Sequence, residues 1–157
     1  MKKNIFLYLF LVFTSLGCSS QKAVTTIREL PPECLGIKHD GAQTLRVWGF
    51  GKDEDSAVEQ ARKNAIYAVL FNGITHGVNG CSQRPIVTEV NARERYADYF
   101  DEFFSKNGAY QKFVSGADER LFGREERENS IGTQCIVVIR VYCSQLREQL
   151  REDGILK

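Results

Sequence analysis

Metal and redox chemistry have little to work with in this chain. His39 and His76 are its two histidines, and its five cysteines contain no Cys-x-x-Cys pair. A zinc site draws on such ligands in closely spaced sets, so no metal or cofactor is expected. An excess of charge of one sign is also missing: 21 Lys and Arg stand against 20 Asp and Glu, with no long basic run. A chain so balanced has no field to steer nucleic acid, and none is expected as a partner. Prolines number only three while 43% of the residues are hydrophobic, which argues against wholesale disorder. Nor is there a Ser or Cys set beside a base and an orienting acid, so no catalytic residue is assigned.

The N-terminus is patterned. Lys2 and Lys3 form a positive end, and Ile5 to Phe13 is an apolar run of about nine residues, too short to span a bilayer. Ser15-Leu16-Gly17-Cys18 follows and resembles the lipobox of bacterial lipoproteins. That resemblance implies cleavage after residue 17 and lipidation of Cys18, whose thiol takes a diacylglycerol group and whose freed amine takes a third acyl chain. Each buried methylene adds ~0.8 kcal/mol to membrane anchoring. Ser19, standing where many retained lipoproteins carry Asp, implies an outer-membrane address. The lack of an acidic run after it favours the periplasmic face. The mature chain then has 140 residues, with 19 basic and 20 acidic side chains. That length suits one domain, expected over residues 33–157 and hung from a polar tether over 18–32 that ends in Pro31-Pro32.

Cys34, Cys81, Cys135 and Cys143 remain. Their number is even and an exported domain meets an oxidising compartment, so one or two disulfides are expected, with the pairing open. Cys135 and Cys143 fall on one expected strand, too far apart to join each other. Buried thiols are the alternative.

Along the domain, Cys34 to Lys38 is a short apolar run, His39-Asp40-Gly41 a turn, and Thr44 to Phe50 a strand with Leu45 and Val47 on one face. Ser56 to Glu59 reads as a capping box opening a helix, whose Ala57, Ala61, Ala65 and Ala68 make a narrow stripe suited to close approach on a sheet. Asn72-Gly73 ends it. Residues 74–88 are irregular, with Cys81 placed so that a disulfide would pin the loop. A second helix is expected from a capping Asn91 to about 107, with Tyr96, Tyr99, Phe100, Phe103 and Phe104 along one side. Extended segments are expected over 111–115, 119–126 and, most strongly, 134–142, with a turn around 129–132. Ser144 is placed to cap a last helix carrying Leu146 and Leu150, closed by Gly154-Ile155. The sum is an α+β fold, an antiparallel sheet with two to three helices packed on one face.

Two stretches together carry a family likeness: Trp48-Gly49-Phe50-Gly51 running into the helix of Ala57, Ala61, Ala65 and Leu70, and the C-terminal strand with Leu146-Arg147 and Gly154-Ile155. They resemble a domain of small bacterial outer-membrane lipoproteins related to the N-terminal domain of a flagellar-assembly protein, and more closely uncharacterised lipoproteins of Bacteroides-type bacteria. The likeness covers residues 42–73 and 131–156 and implies a non-enzymatic, assembly-related envelope role.

Three features invite chemistry. Gly49-Phe50-Gly51 stands where a phosphate loop would, but Asp53, Glu54 and Asp55 repel phosphate there, and close packing explains the glycines better. The aromatic helix is either core or a carbohydrate or partner platform, with Tyr96 and Tyr99 its outward candidates. Arg124 lies in a mixed charge run that reads as a solvated hairpin edge or a docking rim. The leading expectation is a lipid-anchored envelope module that binds another envelope component and is not an enzyme. The alternatives are an envelope hydrolase acting on cell-wall or glycan material, built around His39 or His76, and a small-ligand carrier with a deep apolar cavity.

Overall fold

A computed structural model describes residues 30–116, the backbone of 125–129, and residues 132–157. Strand β1 (Glu33–Ile37) turns through His39-Asp40-Gly41 into β2 (Gln43–Gly51). The turn is closed by Gly41 N–H donating to the Lys38 carbonyl and Ala42 N–H donating to Asp40 Oδ1. Helix α1 (Glu54–Tyr67) runs on into a wider π-type turn, Ala68–Asn72. After it come β3 (His76–Gly77), the short helices α2 (Ala92–Arg95) and α3 (Ala97–Phe103), a 3-10 turn (Ala109–Phe113) and β4 (Val114–Gly116). Then β5 (Glu125–Asn129), β6 (Gly132–Val141) and α4 (Cys143–Glu152) complete the fold.

The strands order β3-β1-β2-β6-β4, with β5 also paired to β6. The centre is the antiparallel β2–β6 ladder from Gln43↔Val141 to Gly51↔Thr133. Because side chains alternate, Leu45, Val47, Cys135, Val137, Ile139 and Val141 share one face and form the core with the helices. Arg46, Trp48, Phe50, Ile136 and Val138 share the other. The expected α+β fold is what forms. The sheet is mixed rather than wholly antiparallel, because β3 pairs with β1 in parallel.

Gly49 sets how close α1 lies. A Cβ there would overlap the Ala57 carbonyl oxygen and stand 2.8 Å from Ala61 N. Ala57, Ala61 and Ala65 are fully buried against this strand, as the alanine stripe predicts.

Several local expectations are corrected. Helix α1 begins three residues earlier than expected, with Asp53 as its cap and Ser56 at N3. Asp53 Oδ1 accepts from Ser56 N–H at 2.9 Å, and Ser56 Oγ accepts from Asp53 N–H at 3.1 Å. Asp caps as well as Ser, and the earlier start brings Glu54 and Asp55 into the first turn, beside the positive helix end. Asn91 does not cap: its backbone is left-handed at φ 60° and its side chain bonds no helix N–H. The single aromatic helix is two, broken at Tyr96 (φ −114°). Ring packing fixes this segment against helix propensity: Phe100 meets Phe71 edge-on at 5.0 Å, and Phe103 stacks on Phe113 at 6.1 Å.

The extended segment expected at 111–115 is mostly the 3-10 turn. Tyr110 and Phe113 are both buried; three residues apart, they share a side in a 3-10 turn and would oppose each other in a strand. Ser144 is an exposed residue inside α4, not its cap. Tyr142 N–H is still held by the Phe113 carbonyl at 2.9 Å, so strand passes directly into helix. At the far end Gly154 (φ 73°) forms the expected Schellman closure: Ile155 N–H donates to Leu150 and Gly154 N–H to Arg151. Of the strand expected at 119–126, only 125 and 126 lie in β5, and residues 117–124 lie outside the described residues.

Candidate functional site

Cys34 and Cys81 are joined by a disulfide with Cα atoms 5.9 Å apart, linking β1 to the loop after β3. Gly77 lies so close to Cys34 that a Cβ would strike the Cys34 backbone, and Val78 N–H donates to the Cys34 carbonyl at 2.9 Å. Cys135 and Cys143 are buried thiols on separate elements. Burial pushes the Cys143 thiol above its ordinary pKa. All four cysteines thus serve the core. Cys18 and Arg124 lie outside the described residues.

Tyr96 and Tyr99 are half-buried. The Arg95 guanidinium lies 5.4 Å from the Tyr96 ring centroid. Tyr99 stacks on Phe103 and donates from its hydroxyl to Asp153 Oδ2 at 2.6 Å. Burial, then that carboxylate, push the Tyr99 phenol well above its usual range. Tyr99 therefore clamps α3 to the C-terminal turn. His39 and His76 are exposed, and His76 Nδ1 lies 3.0 Å from Thr75 Oγ1. Among the described residues no group of three or more His, Cys, Asp or Glu is placed to hold a metal, and no helix is long and apolar enough to cross a membrane.

An uncharged concavity lies elsewhere, at the edge of β2. Strand β1 pairs with β2 only as far as Arg46, which leaves the β2 edge open from Val47 onward. Beside that edge is a groove of about 530 Å³, walled by Leu30, Pro31 and Pro32 on one side and by Gln60, Asn64 and Tyr67 of α1 on the other. Trp48 and Phe50 line it from the sheet, Ala68 and Asn72 from the π-type turn. None of its lining among the described residues is charged, in a chain where a quarter of residues are (26%).

Its polar order follows from the fold. Continuing the β1 register sets Pro31 beside Trp48, and proline has no N–H to offer the Trp48 carbonyl. Asn64 Nδ2 supplies the missing donor at 3.0 Å, and Gln60 Nε2 donates in turn to Asn64 Oδ1 at 2.9 Å. The Gln60 carbonyl oxygen is left at the end of this relay. A second groove of about 430 Å³ shares Gln60, Asn64 and Tyr67 but carries charge, its further lining including Lys63, Arg93 and Asp101 beside Phe71, Phe100 and Phe104. There Arg93 donates to the Tyr67 hydroxyl at 2.9 Å, its guanidinium 5.3 Å from the ring centroid. The helical spacing of Gln60, Asn64, Tyr67 and Phe71 is visible in the sequence, a second stripe beside the alanines. That an open strand edge would face it is not.

Compared with known proteins, the chain matches no family model, no curated protein and no solved structure.

Proposed function

We propose that this protein is a lipid-anchored binding module of the bacterial cell envelope, held at the outer membrane through Cys18 and engaging another envelope component through the groove between Trp48 and Tyr67. One observation carries the reading: an open, uncharged, aromatic-lined groove whose wall, Leu30 to Pro32, is the stretch of chain leading back toward Cys18. A ligand there is met at the root of the tether, where an anchored module meets its surroundings. Large apolar grooves with a few convergent polar groups are the usual seat of recognition. The likeness to small outer-membrane lipoproteins supports the same reading.

The test has two arms. Cys18→Ala should lose its acyl label and leave the membrane fraction, and a photoreactive residue at position 60 of the anchored protein should join an envelope component. Membrane residence of the Cys18→Ala protein would overturn the anchor. Absence of any adduct from position 60, with adducts from other surface positions, would overturn the groove.

A further inference from the structure

We propose that the groove takes a neutral, N-acetylated glycan strand, the backbone chemistry of the bacterial cell wall. This deepens the binding-module reading and rests on it. Lack of charge along the lining excludes ligands that need a counter-ion and fits an uncharged sugar backbone. Trp48, Phe50 and Tyr67 give the lining aromatic, apolar surface of the kind that meets the C–H faces of pyranose rings. Amides complete the match, because hydroxyl and acetamido groups both donate and accept, as Asn and Gln side chains do. The relay from the Trp48 carbonyl through Asn64 to Gln60 fixes the amide orientations before any ligand arrives. It leaves the Gln60 oxygen to accept from an acetamido N–H, and such preorganisation lowers the entropic cost of binding. A proline-rich peptide also suits aromatic grooves. Pro31 and Pro32 of this chain already occupy that wall, however, and the amide relay is what a sugar uses and a proline, lacking N–H, does not.

Trp48 is the chain's one tryptophan, so its fluorescence reports the groove without a label. The full-length acylated protein in detergent micelles is titrated with a β-1,4-linked N-acetylglucosamine hexamer and with peptide-free wall glycan strands. A saturable change in Trp48 emission is expected with both. Gln60→Ala, at an exposed helix position, should weaken binding roughly fivefold, the loss of about one hydrogen bond, with an unchanged melting temperature. A glucose hexamer without acetamido groups should bind more weakly. Binding of that hexamer as tight as the acetylated one, or equal affinity in the Gln60→Ala protein, would overturn the assignment. Saturation by a proline decamer and not by the sugars would make this a peptide groove. An adduct from position 60 to an envelope protein, with no sugar response, would leave the module standing and remove the glycan.

Discussion

Removing the Cys34–Cys81 link is the perturbation whose size follows most directly from the fold. The bond closes a loop with a sequence separation of 47 residues. In the chain-entropy treatment, freeing a loop of that length restores disorder to the unfolded chain worth about 4 kcal/mol at 25 °C. That is a large share of the roughly 5–15 kcal/mol total typical of a domain. The loss should fall mainly on the unfolded state. In the native state β1 stays paired to β2 from Glu33↔Arg46 to Ile37↔Gln43, and Val78 N–H still reaches the Cys34 carbonyl. The assay is urea unfolding of the oxidised protein against Cys34→Ala/Cys81→Ala, followed by Trp48 fluorescence and circular dichroism. The variant should fold, with its stability lowered by about 3–4 kcal/mol and its denaturant slope raised, since an unlinked chain exposes more surface when it opens. A loss below about 1 kcal/mol with an unchanged slope would refute the loop-closure reasoning.

Three further outcomes are expected. Gly49→Ala should cost about 2–3 kcal/mol in the same unfolding assay, because its methyl meets α1 backbone that has no room to yield; adding Ala61→Gly should not restore the loss, and a change under about 0.5 kcal/mol would show that α1 moves freely. Asp53 is held below its ordinary carboxyl value of 3.8, first by the Ser56 hydroxyl and then by the Ser56 N–H. A depressed folded pKa means that its contribution is complete above the unfolded value and is lost as pH falls through the folded one. Melting curves from neutral pH downward should therefore show an acid-dependent fall that Asp53→Asn, which caps without titrating, reduces; identical profiles would remove the cap from the account. Cys135 and Cys143, both buried, should resist a disulfide-exchange reagent in the native Cys18→Ala protein and react on unfolding, and fast native labelling would contradict their burial.

Much of the scaffold was legible from residue pattern because short-range physics dictates it. The β-branched run ending at Val141 can bury one face only as a strand. The alanine spacing of α1 can make only one narrow stripe, and Gly154 is needed where φ turns positive after the last helix. The leader and Cys18 belong to the same local grammar, as an expectation about processing. Tertiary structure decided the rest. Which cysteine met Cys81 depended on β3 lying parallel to β1, a contact across more than forty residues that no local pattern encodes. Whether the aromatic segment stayed one helix depended on where Phe71 and Phe113 stood to receive its rings. The groove exists only because β1 stops pairing at Arg46 while α1 passes over the edge it leaves open. Periodicity tells each segment which side to bury; only the packed chain determines what that side faces.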